Sequence, residues 1–378
     1  MNFIELELNN VIREVIDYRG KTPKKLGGNW SSNGIRALSA KNIKTGKIVQ
    51  EETIRYVNDD LYKKWMKQEV EKGTILITSE APFGEIFYWN SEEKIVLSQR
   101  IFGIKIKDSY NPEYIYYYMI TKNFQAELNS RATGSTVTGL RQPELLKCKI
   151  KAPDRNVQDK IVKILSNIDK KIYLNTQINN NLYKVANTLL LNDFEENTDT
   201  EILSNIIKFA KGKKPLSISN NKEKDYLEYL TIACLNNQEI TYANAEKTIT
   251  SNNDILMVMD GASSGEVYFS NYGIVGSTLA RVDIINEDYI KEYIFFVLKK
   301  YSELIKNKNT GSAIPHADKA FVNTLELPII SIEKQLKYKN ILKKIQHNNK
   351  EVVNLIHIRD TLLPKLMNGE IDLDKIGI

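Results

Sequence analysis

Residues 157–191 read VQDKIVKILSNIDKKIYLNTQINNNLYKVANTLLL, and residues 332–367 read IEKQLKYKNILKKIQHNNKEVVNLIHIRDTLLPKLM. Neither stretch holds a glycine, and Pro364 is the only proline in either. In the first, Ile161, Ile164, Leu165, Ile168, Ile172, Ile178, Leu182, Val185 and Leu189 fall mostly at steps of three and four. That spacing draws a narrow apolar seam along a helix. The second presents Leu336, Ile341, Ile345, Val352, Leu355, Ile356, Leu362, Leu363 and Leu366 in the same manner. Either helix alone would leave its stripe in water, so the two are expected to bury it against each other as an antiparallel coiled coil. Asn175 falls on the seam, where a buried polar side chain fixes register at some cost in stability. Pro364 is expected to bend or tighten the last turn, and Gly369 to cap it. A helix of about 35 residues spans roughly 50 Å, about one and a half turns of B-DNA.

Outward from the helices, the rest of the chain repeats as well. Gly20-Lys21-Thr22-Pro23 matches Gly212-Lys213-Lys214-Pro215, and Leu38-Ser39 matches Leu230-Thr231. Thr74-Ile75-Leu76 answers Asp254-Ile255-Leu256, Gly84-Glu85-Ile86 answers Gly265-Glu266-Val267, and Tyr114-Ile115 answers Tyr289-Ile290. Thr133-Gly134-Ser135 answers Thr310-Gly311-Ser312, and Gln158 with Ile164-Leu165 answers Gln335 with Ile341-Leu342. The offset declines from 192 to about 177 residues along the chain, as loop deletions in the second copy would produce. An ordered series of this kind identifies an internal duplication. Within each copy the first part reads as mixed α/β. Residues 73–78 and 94–107, with counterparts 253–259 and 274–285, are β-branched runs bounded by turn residues. Asn111-Pro112 opens a helix expected through Leu128, and residues 287–305 repeat it. The fold class that follows is α+β: two similar mixed α/β domains separated by two long helices in an antiparallel coiled coil, related by a pseudo-twofold. The boundaries fall at 1–152 for the first domain, 153–196 for the first helix, 197–327 for the second domain, and 328–378 for the second helix and tail.

Bulk properties narrow the class. No apolar run reaches the roughly 20 residues that cross a bilayer, and MNFIELELNN carries acids where a leader would need a basic segment. Cys148 and Cys234 lie in separate halves and suggest no disulfide framework, so a reduced, cytoplasmic location is expected. The net charge of +6 permits a polyanionic partner without demonstrating one. Asn, Lys and Ile are abundant throughout, as an AT-rich genome would give, so no single Lys or Asn carries weight by itself.

The residues resemble those of one family, the specificity (S) subunits of type I restriction–modification systems. The resemblance is carried by the block from His357 to Ile371, HIRDTLLPKLMNGEI, and by the loops Thr133-Gly134-Ser135-Thr136 and Thr310-Gly311-Ser312. It is carried also by the lead-in to each helix: Pro153, Gln158 and Ile164-Leu165 in the first copy, Pro328, Gln335 and Ile341-Leu342 in the second. Ala313 stands where the first copy has Thr136, a departure that leaves the second loop's geometry open. The resemblance implies a non-catalytic DNA-binding chain. Each α/β part would be a target-recognition domain reading one half of a split duplex sequence, spaced by the two long conserved helices. Those helices would dock methyltransferase (M) subunits, expected to number two, with restriction (R) subunits joining for cleavage. S-adenosylmethionine and ATP would belong to those partners, with no cofactor in this chain, no metal and no membrane.

Candidate DNA contacts come from the repeated loops. Lys21, Thr22, Lys24 and Lys25, with Lys213 and Lys214 in the second copy, suit phosphate contacts, and the same residues also suit a tight, solvated turn. Thr133, Gly134 and Ser135, with Thr310, Gly311 and Ser312, offer hydroxyls and backbone N–H groups to phosphates, or simply form a turn. Arg131 and Arg141 flank the first loop, Lys308 and His316 the second. An arginine there is able to pair with guanine through two hydrogen bonds. Other signals read as structure. Asn111-Pro112-Glu113-Tyr114 is close to an adenine methyltransferase motif, but its third residue is wrong and no glycine-rich cofactor loop accompanies it; a helix start explains it. Gly20-Lys21-Thr22 lacks the first glycine of a P-loop, since position 15 is Val. Tyr116-Tyr117-Tyr118 suits base stacking, although in a helix at least one should be core. A self-contained methyltransferase or nuclease would need a complete catalytic motif, which the sequence does not supply. A coiled-coil scaffold joining two protein partners is the remaining alternative, distinguished by an absence of duplex affinity.

Overall fold

The computed structural model describes residues 3–133, 138–310 and 315–373. The chain forms two compact units: Met1–Ile172 together with Val353–Ile378, and Tyr173–Val352. In the first, a four-stranded antiparallel sheet runs in the order Ile12–Asp17, Ile101–Ile106, Thr74–Thr78, Ile86–Trp89. A second sheet orders Arg55–Val57, Ile35–Leu38 and Ile95–Leu97, the last pair parallel. Ile4–Glu7 pairs with Lys149–Ala152 beside them. The second unit repeats each arrangement. Its four-stranded sheet runs Ile207–Lys211, Leu279–Ile284, Ile255–Val258, Val267–Phe269. Tyr242–Asn244, Tyr226–Leu230 and Gly273–Val275 reproduce the other sheet with its parallel pair, and Thr200–Ile202 pairs with Glu326–Pro328. What is duplicated is the strand order, not merely the tripeptides.

The central strands show why such sequences fold this way. All five residues of Thr74–Thr78 are buried. Because successive side chains point to opposite faces, Ile75 and Ile77 join the core beneath Tyr114, Ile115 and Met119, while Leu76 joins Leu38, Trp65 and Leu97. In the second unit Ile255 and Met257 face Tyr293 and Phe296, and Leu256 and Val258 face Leu230 and Val275. A strand covered on both faces has to be apolar throughout. The expected strand over 94–107 is two, Ile95–Leu97 and Ile101–Ile106, separated by a turn that puts Arg100 at φ +66°. The helix expected through Leu128 is also two, Pro112–Met119 and Lys122–Ser130. Thr121 accounts for the break: its hydroxyl accepts from the Phe124 N–H at 3.3 Å, capping a new helix. Asn111 caps the one before it, its side-chain oxygen accepting from the Glu113 and Tyr114 N–H groups. Tyr116, Tyr117 and Tyr118 are all buried, which makes them core.

The two long helices are Arg155–Glu196, 42 residues, and Ile332–Met367, 36 residues. In the second unit they pair antiparallel: the Tyr338 hydroxyl meets Asp193, Asn348 meets Asn179, and Glu351 meets Asn175, one number falling as the other rises. In the first unit Ile161 and Leu165 share a core with Leu363, Leu366 and Met367, and Arg359 binds Asp169 at 2.9 Å. The seam departs from the expected one. Ile178, Val185, Leu336 and Ile356 are exposed; Asn175 is buried on the seam as expected, and Asn179, Ala186, Leu190 and Asp193 of the first helix are buried as well. Reading only the apolar residues forced a step of six from Ile172 to Ile178, whereas steps of four and three pass through Asn175 and Asn179 and stay on one face. Gly369 follows the second helix at φ +72°, as expected of a C-cap.

Candidate nucleic-acid interface

In the first unit, hydrogen bonds draw several turns to one place. The Ser79 N–H donates to the Arg100 carbonyl at 2.8 Å, the Leu140 N–H to the Ser79 carbonyl at 2.9 Å, and the Ala40 N–H to the Gln99 carbonyl at 3.1 Å. Lys21 joins them, its Nζ donating to the Trp65 carbonyl at 3.2 Å and lying 4.3 Å from the Tyr18 ring centre. Between these turns lies a cavity of about 250 Å³ lined by Lys21, Thr22, Trp30, Lys41, Arg55 and Arg100, among others. Trp65 is fully buried within the lining, whereas Lys41, Arg55 and Arg100 are exposed. The Arg55 guanidinium stacks over Trp30, 4.3 Å from the ring centre. Such contact holds the group flat while leaving its edge free to donate. Arg100 stands 3.6 Å from Glu80.

The loops quoted from sequence are closed alike. Thr133 and Gly139 exchange two backbone hydrogen bonds at 2.9 Å each, and Thr310 and His316 exchange two at 2.9 and 2.8 Å. The residue after each closure is tied to an equivalent strand end, Leu140 to Ser79 and Ala317 to Met259. Gly134, Ser135, Gly311 and Ser312 lie outside the described residues. The chemistry beside the two closures differs. In the second unit Asp260 receives His316 Nδ1 at 2.8 Å and Lys211 Nζ at 3.0 Å. Burial raises the Asp260 carboxyl, but the hydrogen bonds from His316 and Lys211, with the charge of Lys211, outweigh it and hold the group below the usual range.

The other expected contacts fall into two sets. Lys24, Arg141, Lys213, Lys214 and Lys308 are exposed. Lys25 turns back on its own loop, Nζ donating to the Gly20 carbonyl at 2.8 Å and its N–H to Thr22 Oγ1 at 3.3 Å. Arg131 is held by Glu127 at 3.0 Å and by Glu144 at 3.6 Å. Lys21 and Thr22 are thus gathered with four residues that the sequence did not single out: Trp30, Lys41, Arg55 and Arg100. No motif surrounds these four. Their grouping depends on the pairing of Arg55–Val57 with Ile35–Leu38, and of that strand with Ile95–Leu97.

Comparison with known proteins agrees with this duplicated architecture. The family described as type I restriction modification DNA specificity domain matches the chain twice, over residues 10–184 and 195–356. The MjaVIII type I restriction enzyme specificity subunit of Methanocaldococcus jannaschii is 26% identical over 193 residues, which is 49% of this chain and 45% of that protein. The chain therefore matches less than half of that relative's length. The MjaIX specificity subunit of the same organism is 24% identical over 363 residues, 85% of this chain and 83% of that protein. Among solved structures, the type I restriction–modification S subunit of M. genitalium shares the fold, with a TM-score of 0.64 at 19% identity over 97% of this chain and 96% of that one. Two matched domains, a repeated strand order and two long helices agree: the chain belongs to the type I restriction–modification DNA specificity family.

Proposed function

We propose that this chain is the non-catalytic DNA reader of a type I restriction–modification complex, recognising a split and asymmetric duplex sequence. The observation that carries the reading is the duplication itself. Two domains of one strand order present loops closed by the same hydrogen bonds, yet the side chains beside those loops differ. Similar frames with different surfaces suit two unlike half-sites on one duplex. Lys21, Thr22, Lys24 and Lys25 in the first domain, with Lys213, Lys214 and Lys308 in the second, would meet phosphates and set register. Thr133 and Thr310, with the Gly-Ser pairs that follow them, would add hydroxyl and backbone contacts, flanked by Arg131, Arg141 and His316.

The long helices supply the second half of the proposal. Tyr173, Leu174, Ile178, Val185, Leu336, Val353 and Ile358 are apolar residues left exposed on them. Methyltransferase subunits docking there, two by the duplication, would cover that surface and bring S-adenosylmethionine. Restriction subunits would bring ATP and the cleavage step, in the cytoplasm. Among the described residues no helix is long and apolar enough to cross a membrane. The test is duplex binding by the chain with its methyltransferase partner. Tight binding is expected to need both halves of the target, and deleting either half should abolish it. Equally tight binding to scrambled duplexes would overturn the proposal, and salt-insensitive assembly with no duplex affinity would favour a protein scaffold instead.

A further inference from the structure

The hydrogen-bond pattern allows the two domains to be compared position by position at the cavity of the first. The Ser98 N–H donates to the Leu38 carbonyl and the Gly276 N–H to the Leu230 carbonyl, which places Ser98 with Gly276 and Leu38 with Leu230. The Ser79 N–H donates to Arg100 and the Met259 N–H to Thr278, so Arg100 corresponds to Thr278. Arg55 pairs with Ala37 across two strands, and the residue matching Ala37, Tyr229, bonds to Thr241, so Arg55 corresponds to Thr241. Lys41 lies two residues beyond the capping Ser39, and Ala233 two beyond the capping Thr231. Around these sites the frame is kept: Gly20 with Gly212, Lys21 with Lys213, and the buried Pro23 with Pro215. At one edge of a common frame, then, three cations of the first domain stand where the second has Thr, Thr and Ala.

We propose that this cationic rim is the specificity-determining element of the first domain, and that Arg55, held flat by Trp30, reads the edge of a guanine in one half of the target. The proposal rests on the reading of the chain as a DNA reader and deepens it. Guanine presents two acceptors, O6 and N7, on its major-groove edge, and a guanidinium meets both with parallel N–H groups. Arg55 suits that role because no ion-pair partner claims it among the described residues, and because it lies over the indole of Trp30. Arg100, shared with Glu80, and Lys41 stand by it as positioning charges for the neighbouring backbone. Thr241 and Thr278 offer single hydroxyls, so the second domain reads its half through other contacts.

The experiment uses the full chain with its methyltransferase partner. Methylated bases are mapped in cells, and binding is measured on duplexes substituted one base pair at a time. The wild-type motif is expected to contain a guanine in one half that Arg55→Ala and Arg55→Lys no longer require. Discrimination at that position should fall on the order of 10- to 100-fold, with the other half unchanged. Arg55→Lys keeps the charge but not the fork, so retained discrimination in that variant would overturn the proposal. An unchanged Arg55→Ala motif would do so too. So would a loss of affinity that is equal on every duplex and lowers the salt dependence by about one contact, because that marks a phosphate. Melting curves of both variants show whether the fold persists, which the exposed position of Arg55 favours. If the unaltered complex itself showed no sequence preference, the reading of the chain as a DNA reader would fail, an outcome separate from a failure of Arg55 alone.

Discussion

Gln158 and Gln335 are each 1% exposed. Gln158 accepts from the Asn111 N–H at 2.8 Å and donates to the Pro153 carbonyl at 2.8 Å; Gln335 accepts from the Ile290 N–H at 2.9 Å and donates to the Asp288 and Ile330 carbonyls. Each glutamine thus fastens the first turn of a long helix to the start of the domain's own helix. Replacing either with Ala strands buried polar groups, so Gln158→Ala and Gln335→Ala should each lose about 2 kcal/mol in denaturant unfolding. A loss near zero in either would contradict that account. Asp260 gives a prediction in pH. Its carboxyl is depressed in the folded chain, so it stabilises above its unfolded value of about 3.9, and that contribution is lost as pH falls through the folded value. The stability advantage of wild type over Asp260→Asn should therefore stand at pH 6 and shrink below about pH 4. A difference unchanged between those conditions would refute it. The glutamines were legible in the sequence because each follows a proline and stands at the same distance before an Ile-Leu pair. Arg55 was not, because its significance comes from a strand pairing that brings it to Trp30.

At the scale of elements, the long helices were legible as helices and as an antiparallel pair, and their seam was legible in part. Apolar periodicity located both of them and put Asn175 on the seam, yet it passed over Asn179 and Asn348, which are buried as well. Asn179 donates to Asn349 at 2.7 Å and accepts from Asn348 at 2.8 Å, and both Asn179 and Asn348 are nearly inaccessible. Paired amides of this kind favour one register, because any slip leaves them without partners. Asn179→Leu or Asn348→Leu alone should cost about 1–3 kcal/mol by leaving the other amide unsatisfied. The double substitution should cost clearly less than the sum, since it removes both polar groups together. Additive losses in that cycle would mean that the two amides do not depend on each other. The strands were legible to within a few residues wherever both faces are covered, as in Thr74–Thr78. The breaks at Arg100 and Thr121 were not, because three polar residues at 98–100 and a single capping threonine interrupt the apolar pattern too briefly to mark a turn or a helix end.

For the molecule as a whole, modularity is the property under test. Exchanging residues 1–152 for the corresponding domain of a relative should change one half of the methylated motif and leave the other as it was. A change in both halves would show that the domains do not read independently. The domains themselves were legible through their recurring tripeptides, since the duplication preserves the turns that a strand order requires. Their membership in compact units is a different matter. The first unit takes its core from both ends of the chain: Ile161 and Leu165 rest against Leu363, Leu366 and Met367, and an added Cβ on Gly369 would meet the Phe3 ring at 2.6 Å. The second is a single uninterrupted stretch. On the ribosome this sets an order of completion. The second unit has all of its residues as soon as Val352 has emerged, while the first, though synthesised earlier, stays unfinished until the last turns of the final helix arrive. A message cut short just after Val352 would therefore yield a chain with every residue of the second unit and a first unit that still lacks Leu363, Leu366 and Met367, leaving Ile161 and Leu165 uncovered, the kind of apolar surface that chaperones and proteases recognise.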